Sequence, residues 1–301
     1  REGGPRDLQL LLRRSRLSDL LENALIAEFD QELDAYENAA TEFGSPRDIY
    51  WAMAMRATQA TLRGDLVTGE QLARGAMLRG SELEQSSAGA HLLQRFVVRY
   101  EQGRLREELP NLRYFSGGSS AFRAGAALPA LAHAAIGQSD VACEIAWETL
   151  GRDGTDLRRD VFWLAAVAMF AGVAATARDV DLVDLCRTLL EPCADHVIVF
   201  GTGAAVLGPV HYWLGVVDAV SGELERALAH FRSATEIARS IGAPYWIAQS
   251  EIGAAAMLRG RGRTVDKAEI ESLERDALAL ARPRGYDCVI AQADAIPDPV
   301  P

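Results

Sequence analysis

"HVIVFGTGAAVLGPVHYWLG", residues 196–215, reads in two ways, and the choice separates an α/β nucleotide-binding protein from an all-helical one. An apolar run, Val197 to Phe200, meets Gly201 and Gly203, as a strand meets a phosphate loop. A dinucleotide fingerprint needs a third glycine, G-x-G-x-x-G, inside a strand–helix–strand unit. Here position 206 is Val, and the next twenty residues read as helix. Gly203 and Gly208 have the spacing of GxxxxGK[ST], but Pro209 and Val210 follow them. Both nucleotide readings fail. The remaining reading is an extended connector over 195–200 and then a helix from about Gly203 to Val220, in a chain with no sheet.

Helical periodicity runs outward from this stretch in both directions. Ile26, Phe29, Leu33, Tyr36 and Ala40 form one apolar stripe, and Leu224, Ala227, Leu228, Phe231, Ala234, Ile237 and Ile241 another. Short breakers separate about fourteen such segments. The turns recur: Gly64, Gly103, Gly137 and Gly222 each follow one helix and precede another, with Arg178 and Gly262 in equivalent places. The steps are 39, 34, 41, 44 and 40 residues. That period predicts an all-α array of stacked antiparallel helix pairs winding as a right-handed superhelix, because one hairpin is too small to bury its own stripe. The repeats occupy 18–285. Residues 1–17 read as the continuation of a preceding repeat, and 286–301 as a last helix remnant with a Pro-rich tail. The chain opens at Arg1 rather than Met, as a fragment or processed product would.

The best-formed unit is "YWLGVVDAVSGELERALAHFRSATEIA", residues 212–238. Leu214-Gly215, Gly222, Ala227, Phe231 and Ala234 follow the tetratricopeptide pattern. Small residues let paired helices approach, and the aromatic fills the space beside them. Gly137, Ala142, Ala146 and Thr149, and Gly64, Gly69, Ala73 and Ala76, are weaker copies. The unit around Gly103 is degenerate, with Glu108 and Leu112.

The segment 206–262, "VLGPVHYWLGVVDAVSGELERALAHFRSATEIARSIGAPYWIAQSEIGAAAMLRGRG", resembles the helical-repeat region of large bacterial signalling ATPases and transcriptional regulators. These join a STAND- or AAA-type ATPase to a LuxR-type DNA-binding domain, an OmpR-like activator domain or a cyclase. "FDQELDAYENAATEFGSPRDIYWAMAMRATQATLRGD", residues 29–65, is similar to earlier repeats of the same group. The resemblance implies a C-terminal sensor arm that binds a ligand or a protein. No ATPase motif, helix-turn-helix or cyclase carboxylate pair is present in these 301 residues.

Composition agrees with a binding role. The net charge is −11, from 31 basic and 42 acidic residues, which argues against holding nucleic acid on a broad basic face. The cluster Arg6, Arg13, Arg14 and Arg16 reads as a solvated helix face. Cys143, Cys186, Cys193 and Cys288 form no CxxC pair, and none of the five histidines lies four residues from another, so no metal site is expected. No apolar run reaches the ~18 residues of a membrane helix, and no signal peptide is recognisable. A cytoplasmic location is expected.

No catalytic or cofactor-binding residue is expected. Serines lack a GxSxG context. "SGGSSAF" (116–122) could cradle an anion, but reads better as a loop and helix cap. The acidic pairs Glu82/Glu84 and Glu107/Glu108 read as solvated charge. The aromatic residues are the more informative set. Trp51, Tyr100, Trp163, Tyr212 and Trp246 fall on or beside the first helices of units, which line the concave surface of such an array. With Arg56, Arg95, Arg99, His211 and Gln249 they would suit a protein, a peptide or a small-molecule effector in that groove. Homodimerisation is compatible with this arrangement. The alternatives are a free-standing interaction scaffold and an enzyme with an unrecognised groove site.

Overall fold

The computed structural model describes residues 4–81, 87–112 and 120–295. The anion-loop candidate at 116–122 and the pair Glu82/Glu84 lie outside what it describes, in whole or for their side chains, as do 1–3 and the tail 296–301.

The described chain is mostly helical. In order it forms α1 (Pro5–Glu22), α2 (Ile26–Glu42), α3 (Pro46–Leu62), α4 (Leu66–Gly80), α5 (Ser87–Glu101), the single turn α6 (Leu109–Leu112), α7 (Ala127–Ala135), α8 (Ser139–Leu150), α9 (Trp163–Ala177) and α10 (Val180–Leu190). Two strands follow, β1 (Val197–Phe200) and β2 (Ala205–Pro209), and then α11 (Val210–Val220), α12 (Leu224–Ser240), α13 (Pro244–Arg261), α14 (Lys267–Ala281) and α15 (Asp287–Ala295). Successive helices pack on one another, most extensively α3 on α4, α12 on α13 and α13 on α14. No described helix is long and apolar enough to cross a membrane.

The turn positions expected from the spacing all adopt the left-handed backbone. Gly64, Gly103, Gly137, Gly222 and Gly262 have φ of 82, 71, 82, 78 and 66°, and Arg178, without glycine's freedom, has 56°. A helix that must stop and reverse within three residues ends through this conformation, which glycine adopts without steric cost. At Gly64 a second constraint is added. A Cβ there would lie 2.6 Å from the Tyr286 hydroxyl oxygen and 2.7 Å from Pro244. The first half of the chain is thus seated against its last helices. Gly103 makes the same kind of contact with Cys288, at 3.2 Å.

The expectation of no sheet, with a helix from Gly203, is overturned. Residues 197–209 form an antiparallel hairpin, with Val199 opposite Val206 and Phe200 opposite Ala205. Every residue of both strands is buried. The run Val-Ile-Val-Phe is β-branched and aromatic, which suits a pleated ribbon covered on both faces. Gly201 and Gly203, at φ of 63 and 97°, turn the chain. Pro209, opposite Val197, ends β2 and leads into α11 in an extended conformation.

The hairpin sits among the helices. It packs on α1, α3, α5, α9, α11 and α12. The Thr58 hydroxyl on α3 lies 2.9 and 2.8 Å from the carbonyl oxygens of Gly203 and Ala204. The Trp213 indole donates to the Leu207 carbonyl at 2.9 Å. Beside it, the carboxyl of Glu101 is 2 % exposed, and its Oε2 has no hydrogen-bond partner among the described residues. Burial pushes that carboxyl well above the usual carboxylate range.

Candidate functional site

The aromatic residues expected to line an open groove are placed differently from one another. Trp51, Tyr212 and Trp246 are 8, 7 and 1 % exposed, and Tyr100 is half-buried. They pack on each other and on neighbouring helices instead of facing solvent in a row. Trp51 contacts the Tyr50 ring, with the Arg14 guanidinium 5.0 Å from its own ring. Trp163 carries Arg159 over its ring at 4.6 Å. Arg56 is held by Asp34 and Glu37, and Arg95 by Glu108. Arg99 pairs with Glu70 at 2.6 Å. These arginines are spent on nearby carboxylates and are not free anchors.

Tyr100, Tyr212, Trp246 and Gln249 do come together. Trp246, on the first turn of α13, is the hub. Its ring centroid lies 5.0 Å from Tyr245, 5.2 Å from Tyr212, 6.0 Å from Trp213 and 6.2 Å from Tyr100. Edge and offset contacts of this kind add to the apolar burial of each ring. The backbone of Gly208 in β2 lies against the indole so closely that any Cβ there would enter the ring. The hairpin therefore fixes the hub from behind.

On the other side of these rings is a cavity of about 640 Å³. Tyr100 of α5, Tyr212 and Trp213 of α11, and Tyr245 and Gln249 of α13 form its floor. Leu131, Gly172, Val216 and Ala256 belong to its walls, and Cys288 and Gln292 of α15 to one side. Trp51, Arg56, Arg95, Trp163 and His211 are not among its described lining residues. The volume is within the range of small-molecule sites.

The polar groups of the floor converge on Gln249. Its carboxamide oxygen accepts from the Tyr212 hydroxyl at 3.3 Å. Its nitrogen donates to the Tyr245 hydroxyl at 3.0 Å and towards the Cys288 sulfur at 3.5 Å. Cys288 in turn donates to the Glu101 carbonyl at 3.3 Å. Burial pushes the phenols of Tyr100, Tyr212 and Tyr245 well above their ordinary value. It pushes the Cys288 thiol up too, against the opposing hydrogen bond from Tyr245. No Arg, Lys, His, Asp or Glu is among the described lining residues. The floor is polar and uncharged at neutral pH.

His211 belongs to a separate cluster. Its Nδ1 lies 2.7 Å from Nδ1 of His230, so one ring donates and the other accepts. His211 Nε2 is 3.6 Å from Asp195, and His230 Nε2 is 3.6 Å from Asp218. Asp218 is fully buried and receives Arg187 at 2.8 Å and Arg226 at 3.4 Å. Burial, and then the neighbouring His211, hold the His230 imidazole below its ordinary value. The cluster ties α10, α11 and α12 together. Among the described residues no three His, Cys, Asp or Glu side chains stand close enough to share a metal ion, and all four cysteines are free thiols.

The sequence reading missed Trp213, Tyr245 and Cys288. A signal was present for two of them. The dipeptide Tyr-Trp occurs at 50–51, at 212–213 and again at 245–246. Comparison with protein-family models, with curated proteins and with solved structures finds no match.

Proposed function

We propose that this chain is a regulatory, ligand-binding helical-repeat domain, of the kind that forms the sensor arm of bacterial signalling ATPases and transcriptional regulators. In this reading its helix pairs follow a right-handed superhelical path that the β1–β2 hairpin fills. The effector occupies the aromatic cavity instead of an open concave groove. The observation that carries the reading is the uncharged, aromatic-floored cavity of about 640 Å³ lined by seven different helices. Helices α5 and α13 are distant in sequence, so occupancy would couple the two ends of the domain. That is what a sensor arm requires of its ligand site. The test is thermal denaturation against a small-molecule library, run in parallel with Ala256→Phe, which fills the cavity from a half-buried wall position. Compounds that raise the melting temperature of the wild type and not of the variant support the reading. If no compound separates the two, it fails.

An interaction scaffold is the second reading, and one observation favours it. Leu8, Leu11 and Leu12 on α1 are 55, 46 and 61 % exposed. Three leucines on one helix turn suit a partner helix. Replacing Leu8 and Leu12 by Ser would abolish that association while leaving the cavity ligand-competent.

A further inference from the structure

The polar atoms of the cavity floor are already committed to one another. Tyr100 shares side-chain hydrogen bonds with both Tyr245 and Tyr212. Tyr212 donates to the Gln249 oxygen at 3.3 Å, and the Gln249 nitrogen donates to the Tyr245 oxygen at 3.0 Å. A phenol has one proton to give. Tyr212 gives its own to Gln249, so Tyr100 donates to Tyr212, and Tyr245 in turn donates to Tyr100. The Cys288 sulfur, 3.4 Å from the Tyr245 oxygen, is the weaker acceptor. Four side chains thus close a ring across α5, α11 and α13, and each gives one hydrogen bond to the ring and accepts one from it. The other donors are spent as well. The second amide proton of Gln249 goes towards Cys288, the thiol proton goes to the Glu101 carbonyl, and the Trp213 indole donates to Leu207.

A ligand oxygen could take a proton from this floor only by breaking a bond of the ring. One hydrogen bond would replace another, with no net gain. Charge fares worse. An ionised group in the cavity would shed its hydration and meet no counter-charge, since the described lining holds neither a cation nor a carboxylate. For a cation, attraction to the ring faces does not offset that loss. What remains is apolar contact. Leu131, Val216 and Ile252, with the rings of Trp213 and Phe231, supply it.

We propose that the cavity binds an uncharged small molecule by its hydrocarbon body, through apolar and ring contacts alone, with no hydrogen bond taken from the floor. This rests on the ligand-binding reading above.

Four fluorescent probes that share one ring frame test it by equilibrium titration of the purified protein: pyrene, methyl pyrenecarboxylate, pyrenecarboxylate and pyrenylmethylammonium. Pyrene and the ester should bind saturably at one site and compete. The anion and the cation should each bind at least about ten-fold more weakly than the ester. Ala256→Phe, or Val216→Phe should that variant fail to fold by circular dichroism, should abolish binding of the two neutral probes. The ring is tested by the ratio of ester to pyrene affinity, in which any general loosening of the floor cancels. In Tyr245→Phe, or Tyr212→Phe should the first not fold, the ester should hold its ground on pyrene or gain. An ester that falls about three-fold or more behind pyrene would show that the floor does donate to the ligand, and overturns the proposal. Ionic probes that bind within ten-fold of the ester, and are lost in Ala256→Phe, overturn the uncharged class but leave a ligand site standing. If the folded protein binds none of the four, or binds them equally well with the cavity filled, the ligand-binding reading falls too.

Discussion

The ring of Phe231 occupies the place where a side chain on Gly215 would stand. A Cβ on that glycine would lie 2.9 Å from the ring, and one on Gly253 would lie 2.6 Å from it. The aromatic of α12 is therefore wedged between bare backbone on α11 and on α13. Ala227 and Ala234, one turn to either side of Phe231, are fully buried. Close approach of three helices rests on these few small residues.

Phe231→Ala should cost about 3–5 kcal/mol, because the neighbouring backbones cannot collapse into the space. Gly215→Ala, Ala227→Leu and Ala234→Leu should each cost about 1–3 kcal/mol by overpacking. Urea unfolding followed by circular dichroism reads these values. Midpoints unchanged in all four would mean that the helices do not meet through this wedge.

Gly208 and Gly242 have similar left-handed backbones, at φ of 74 and 64°, but different surroundings. Space around Gly242 is open, whereas Gly208 abuts the Trp246 indole. Gly242→Ala should show only backbone strain, about 1–2 kcal/mol. Gly208→Ala should exceed it clearly and also alter the tryptophan emission. Equal losses would place the hairpin away from Trp246.

Glu101 supplies a pH dependence whose sign follows from its burial. The folded state holds the proton more tightly than the unfolded chain, whose carboxyl titrates near 4.5. Its cost to stability is absent below that value and grows as pH rises towards the folded pKa, at about 1.4 kcal/mol per pH unit. Glu101→Gln removes this term. The variant should match the wild type near pH 4.5 and gain on it as pH is raised above that value, until the folded carboxyl ionises. A difference that is constant over this range would show that the carboxyl ionises as freely folded as unfolded.

Asp218 accepts a hydrogen bond from Arg187 and stands within ion-pair distance of Arg226 and His230. Asp218→Ala takes from Arg187 its buried carboxylate and leaves it the exposed Asp184, and should cost about 3 kcal/mol. Arg187→Met in the same chain should recover part of that loss. A double variant no more stable than Asp218→Ala alone would show that the guanidinium carries no penalty when it loses Asp218.

Where sequence spacing succeeded, the cause was local. A helix that reverses in three residues demands a left-handed backbone, so Gly64, Gly103, Gly137, Gly222 and Gly262 marked the turns directly. Arg178 showed the same role through its position in the period. The 3-4 spacing of Phe29, Leu33, Tyr36 and Ala40 likewise gave α2, and all four are buried. Residues 201–209 misled because Gly203, Ala204 and Ala205 read as a close-packing helix. The Gly208-Pro209 pair, which a helix interior tolerates poorly, was the contrary signal, with β-branched residues on both sides of a glycine turn. The cavity was legible only in pieces. Tyr100 and Gln249 were singled out, but nothing near residue 100 says that α13 and α15 will reach it. That meeting depends on how helices far apart in sequence pack together, which no local period encodes.

A linear stack of helix pairs holds its parts mainly through nearest neighbours, and can fray or lose terminal units one at a time. The β1–β2 hairpin changes this. It leans at once on α1, α3 and α5 from the first third of the chain and on α11 and α12 from the last. Its contacts exist only when both ends are in place. Folding must therefore close long loops before the middle of the chain is secure, which slows it relative to a stack of local pairs. In return, unfolding should be all-or-none. Deleting α1 and α2, or everything from α12 onwards, should leave no shorter stable fold but a chain that has lost its cooperativity.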